Sequence, residues 1–102
     1  MNEKNDGGDT PLHIAAFGGH EPIVSLLLTR GSPLNEKNNG GDTPLHEAAF
    51  GGHEPIVSRL LTRGSPLNEK NNGGDTPLHE AAFGGHEPIV SRLLTRGSPL
   101  NE

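Results

Sequence analysis

The sequence contains no cysteine, tryptophan or tyrosine. Without cysteine there is no disulfide, no thiolate nucleophile and nothing that calls for an oxidising compartment. Only 29% of its 102 residues are hydrophobic, which is thin for an ordinary globular core in a chain of this length. Basic charge is also scarce: 8 Lys and Arg face 13 Asp and Glu, for a net charge of −5. No run of Lys and Arg forms a stripe, so the electrostatic footprint for nucleic acid or an anionic membrane is missing. No apolar run approaches membrane-spanning length, and the first residues do not read as a signal peptide. The expectation is a soluble chain, cytoplasmic if expressed in a cell, with neither nucleic acid nor membrane as partner.

Repetition is what the sequence has in abundance. A 33-residue unit occupies 2–34, 35–67 and 68–100, and the second and third copies are identical at every position. The first differs only at Asp6, Ile14 and Leu26, where the others carry Asn39 and Asn72, Glu47 and Glu80, Arg59 and Arg92. Such a period predicts a stacked array spanning 1–102 in which each unit buries its apolar face against the next. That resolves the shortage of hydrophobic residues, because no common centre has to be filled. No separate capping unit is evident.

Within the second copy, Thr43 is placed to cap a helix and Pro44 suits its first position, where no backbone N–H is needed. Leu45, Ala48 and Ala49 give that helix a short inward face, and Gly51 and Gly52 end it. A second helix starts at Glu54 and Pro55, carries Ile56, Val57, Leu60 and Leu61 inward, and stops at Gly64. The stretch around Pro66, Asn71, Asn72, Gly73 and Gly74 reads as an extended arm with a tight turn. At the turn tips, Asp6-Gly7, Asn39-Gly40 and Asn72-Gly73 are expected to supply the unusual backbone angles. Lys37 and Lys70, just before those turns, read chiefly as solubilising residues.

The segment TPLHEAAFGGH, followed at fixed spacing by IV, LL, Gly and Asn, resembles the ankyrin repeat in all three units and over essentially the whole chain. The resemblance implies an all-α solenoid of paired antiparallel helices with projecting β-hairpin-like turns beside a concave groove. It assigns structural roles to Thr10, Thr43 and Thr76, to Pro11, Pro44 and Pro77, and to His13, His46 and His79, with the His hydrogen-bonding inside the framework. The internal identity is similar to that of consensus-type, designed ankyrin arrays. Two departures stand out: Ser32, Ser65 and Ser98 replace the family's Ala, and Pro33, Pro66 and Pro99 its Asp, in the loop after the second helix.

Catalysis finds no foothold. The six histidines fall into two sets, His13, His46 and His79, and His20, His53 and His86, spaced by the repeat. Members of a set should lie roughly 10 Å apart if units pack like neighbouring helices, too far for one metal with bonds of about 2 Å. HExxH, acidic-cage and phosphate-loop patterns are absent, and Ser25, Ser58 and Ser91 have no evident base. No cofactor, metal or small-molecule substrate is expected. Both histidine sets read as structural, the second through hydrogen bonds into a neighbouring loop.

Candidate protein-binding residues are Phe17, Phe50 and Phe83, one per unit, with Asn39, Asp42, Arg63, Lys70 and their equivalents around them. The rings either pack between units or form an exposed ladder along the groove. Arg30, Arg63 and Arg96 fall near helix C-termini, where a cation is favoured, and serve as caps or as contacts. Ile14 and Leu26 change together into Glu47 with Arg59 and Glu80 with Arg92, which suggests that these positions touch, as ion pairs within or between units, or else stand as separately solvated groups. Uncapped ends would leave apolar faces that another copy could cover. The leading functional reading is a designed or idealised scaffold without native catalytic function. The alternative is an interaction module that binds protein through the groove and hairpin tips.

Overall fold

The computed structural model describes residues 3–97. Ser98 and Pro99 and the end of the third unit lie outside the described residues. Six helices follow one another in pairs: α1 Pro11–Gly18 with α2 Glu21–Thr29, α3 Pro44–Gly51 with α4 Glu54–Thr62, and α5 Pro77–Phe83 with α6 Glu87–Thr95. The described residues form an all-α repeat solenoid, with no strand among them.

Each first helix is specified locally. The Thr10, Thr43 and Thr76 hydroxyls accept from the backbone N–H of His13, His46 and His79, and proline follows each Thr inside the first turn. Helices of seven to nine residues would be marginal alone, so packing has to hold them. Ala15, Ala16, Ala48, Ala49 and Ala81 are buried, and their small side chains let the first helices approach closely. The inner row α1, α3, α5 is packed more tightly than the outer row α2, α4, α6. Val24, Leu28, Ile56, Val57, Leu60, Leu61, Ile89 and Leu93 fill the space between the rows.

The turns join into a ladder of their own. Asn39 N–H donates to the Gly7 carbonyl and Asn72 N–H to the Gly40 carbonyl, each at 2.9 Å. The positive φ expected at the tips lies one or two residues further on, at Gly8, Gly41 and Gly74, while Asp6, Asn39 and Asn72 keep ordinary negative values. Asn5, Asn38 and Asn71 explain the shift. The Asn38 Oδ1 accepts from the backbone of Gly40 at 3.0 Å and of Asp42 at 2.9 Å, folding the turn from its first residue. At Gly41, a Cβ would meet the Asn72 backbone nitrogen at 2.7 Å, so the glycine is required for clearance as well as for its φ of 83°.

Ser32 and Ser65 are buried, and their hydroxyls have no hydrogen-bond partner. The Ser65 N–H closes the helix by donating to the Leu60 carbonyl at 3.0 Å, so only the side chain is unsatisfied.

Candidate protein-binding face

The inner face is built on a rigid polar frame. Thr43 N–H donates to His46 Nδ1 at 3.1 Å, which makes that nitrogen the acceptor and leaves Nε2 as the donor to the Asp75 carbonyl of the next unit at 2.9 Å. His13 repeats the arrangement onto the Asp42 carbonyl at 2.8 Å. Burial holds the His46 imidazole below its usual pKa, with the carbonyl of Asp75 opposing. His79 keeps its bonds to Thr76, but among the described residues no carbonyl meets its Nε2. The second histidine set also ties units together: His53 reaches the Phe17 carbonyl at 2.8 Å and His86 the Phe50 carbonyl at 2.9 Å.

Phe17, Phe50 and Phe83 sit at the ends of the three inner helices. Their rings stack, with centroids 6.1 and 6.0 Å apart and planes within 15° of parallel. They remain 48%, 37% and 82% exposed. The ladder therefore packs between units and faces solvent at once.

Carboxylates flank the ladder. Asn38 Nδ2 donates to Asp9 at 2.8 Å and to Glu47 at 2.9 Å, and Asn71 Nδ2 donates to Asp42 at 2.9 Å and to Glu80 at 3.0 Å. Each amide thus holds two acids from adjoining units. An open depression of about 220 Å³ is lined by Phe17, Asp42, His46, Glu47, Phe50 and Glu80, and Glu80 continues into a second of about 520 Å³ beside Phe83 and Asp75. Burial, followed by the charges of Asp42 and Asp9, pushes the Glu47 carboxyl up to about 7. Glu80 is raised for the same first reason, with Asp42 and Asp75 adding to it. Asp9 was a candidate as the first-unit equivalent of Asp42, whereas Asn38 and Asn71 were not among the binding candidates. Their signal was the fixed spacing of Asn four residues before Asp, an arrangement suited to a side-chain-closed turn.

The charged exchanges do not pair with one another. Glu47 lies on the groove side of α3 and bonds Asn38, whereas Arg59 lies on α4 and donates to Glu21 of the preceding unit at 2.8 Å. Arg92 donates to Glu54 in the same way at 2.8 Å. The expected contact between Glu47 and Arg59, and between Glu80 and Arg92, is corrected: the acid is held from the hairpin, while the base crosses between units on the outer row. Ile14 and Leu26 are each 51% exposed, so the first unit does not bury them as an apolar pair.

The other candidates separate likewise. Asp42 faces the ladder. The Asn39 side chain is engaged in the turn ladder, donating to the Asp6 carbonyl at 3.0 Å. Arg63 belongs to the outer row, where it lines a shallow depression with Pro55, Ser58 and Arg59, so it does not border the groove. It is the residue that follows the last turn of α4, as a capping role requires. Lys70 is exposed in its arm. Among the described residues, no three His, Asp or Glu side chains converge as a metal site would need, and no helix is long and apolar enough to cross a membrane.

Tandem helix pairs, turns bonded into a ladder and histidines bridging each unit to the next define an α-helical repeat solenoid. The chain matches the ankyrin repeats family in three copies, over residues 1–71 and 33–102, and it belongs to that family. Comparison with curated proteins gives no match. Ankyrin repeats are typically protein-interaction modules and generally non-catalytic.

Proposed function

We propose that the chain is a single array with units at 2–34, 35–67 and 68–100, and that it acts as a non-catalytic scaffold presenting its inner face to a protein partner. The observation that carries this reading is the Phe ladder, three rings held in register yet open to solvent beside a depression. Aromatic side chains with few rotors are efficient anchors for a protein surface. The identity of the second and third units supports the further reading that the array is a regularised, designed one, since a surface matured for one target would vary along the groove. A displayed peptide library selected on this chain and counter-screened on a folded Phe50→Ser variant tests the binding role. Binders that lose the variant support it; binders indifferent to the change at Phe50 refute it.

A second reading concerns the ends. Ile23 and Phe83 are exposed where their counterparts Ile56 and Phe50 are more covered, so a second copy could stack head to tail. The first unit weakens such a contact. Asn39 Nδ2 and Arg59 each donate to the preceding unit, and Asp6 and Leu26 stand at those positions in the first copy. Sedimentation velocity across a hundredfold concentration range tests association, with Asp6→Asn/Leu26→Arg expected to strengthen it. A sedimentation coefficient unchanged for both chains refutes it.

A further inference from the structure

The inner face is both apolar and negatively charged, and the acids beside its rings take no part in the described ion pairs. Four described ion pairs run between units: Lys4–Glu36, Lys37–Glu69, Arg59–Glu21 and Arg92–Glu54. None of them uses Asp42, Glu47 or Glu80, the acids that line the depressions beside the rings. Glu47 and Glu80 are instead held by amides, which accept no proton and carry no charge. Burial first, and then the neighbouring acids, raises two of their number. They do not converge as ligands of one metal ion. A cation spread along the face would relieve each of them in turn.

Spacing narrows the chemistry further. The rings repeat at 6.1 and 6.0 Å along the stack. In an extended peptide, side chains on one face recur every two residues, roughly 6.7 Å. Lys and Arg side chains lay their methylene stems on apolar surface while their charged heads reach beyond it.

We propose that the inner face binds an extended cationic peptide segment with Arg or Lys at alternate positions, the stems lying across Phe17, Phe50 and Phe83 and the heads meeting Asp42, Glu47 and Glu80. This rests on the reading of that face as protein-binding. The partner is a basic, unstructured stretch of another protein. Its affinity falls with salt, because the depressions that hold the acids are open to solvent.

Fluorescence anisotropy with a fluorescein-labelled peptide of alternating Arg and Ser tests the assignment. The expected result is saturable binding that weakens at least tenfold in the Glu47→Gln/Glu80→Gln variant. A Glu21→Gln/Glu54→Gln variant makes the same change in net charge on the outer row, and it should bind within about twofold of the parent. Circular dichroism and urea unfolding establish that each variant is folded. Equal weakening by both double variants, or no saturable binding by the parent, overturns the proposal. A peptide of alternating Leu and Ser that binds more tightly and is lost on Phe50→Ser also overturns it, while leaving the groove as the binding face. If Phe50→Ser affects neither peptide, the groove reading falls together with the cationic one.

Discussion

Replacing Glu47 with Gln should stabilise the protein at pH 8 and do little at pH 4.5. Glu47 is half-buried among Asp9, Asp42 and Glu80, and its carboxyl rises from 4.5 to about 7, first through burial and then through its acidic neighbours. The sign follows from linkage. A carboxyl whose folded pKa lies above its unfolded value is harder to ionise in the native state, so it costs stability at high pH. That cost is fully present above pH 7 and is relieved as the pH falls towards 4.5. At 1.36 kcal/mol per unit, the rise sets a ceiling of about 3 kcal/mol. Because the depression is open to water, screening reduces the expected cost to about 1 kcal/mol. Gln keeps an oxygen to accept from Asn38 Nδ2 and adds donors facing Asp9 and Asp42, so the substitution removes charge without orphaning the amide. Urea unfolding of parent and variant at both pH values gives a double difference in which other titrating groups cancel. A variant no more stable than its parent at pH 8, or one with the same advantage at pH 4.5, refutes the reasoning. Added salt should shrink the advantage only in part, because burial ranks ahead of the neighbouring charges among its causes.

His46 works in the opposite direction, since its lowered pKa means that its contribution is present above pH 6.5 and lost as acid protonates Nδ1 against the Thr43 N–H; His46→Leu should lower stability by about 3 kcal/mol and flatten the acid limb of a stability profile. Ser65→Ala should raise stability by about 0.5 kcal/mol, because the buried hydroxyl has no partner, and a lower urea midpoint would contradict this. Gly41→Ala should cost at least about 2 kcal/mol and exceed the cost of Gly64→Ala, as both require positive φ but only Gly41 meets neighbouring atoms. Arg59→Leu, which copies the first unit's Leu26, should cost under about 1 kcal/mol, and a double-mutant cycle with Glu21→Gln should show a coupling that fades with salt.

Particular residues show how far the sequence could be read. The Thr-Pro-Leu-His openings and the glycines after each helix act locally, through caps and backbone angles, and the helices begin and end at or within a residue of where those signals put them. The framework role of His46 was legible through family resemblance, and the structure supplies its geometry: an acceptor nitrogen fixed inside the unit and a donor aimed at the next one. The pairing of Glu47 with Arg59 was misread for the same reason that the first copy was informative. Two positions changing together implied contact, yet the changes act on opposite sides of the stack, one against Asn38 and the other against Glu21. Of the two roles read for Arg63, the position after α4 fits the cap, while the groove contact fails because the end of α4 lies on the outer row.

By itself, the sequence determined the period, the helix pairs and the family, because capping, turn chemistry and apolar spacing are short-range and recur without error in every unit. Tertiary structure decided what faces what. The Phe rings become a ladder only when inner helices pack closely enough to stack them, and the acids become a negative face only when one asparagine amide gathers carboxylates from two units. Both depend on contacts about 33 residues apart in the chain, which repetition makes identical from unit to unit but whose direction only the packed stack fixes.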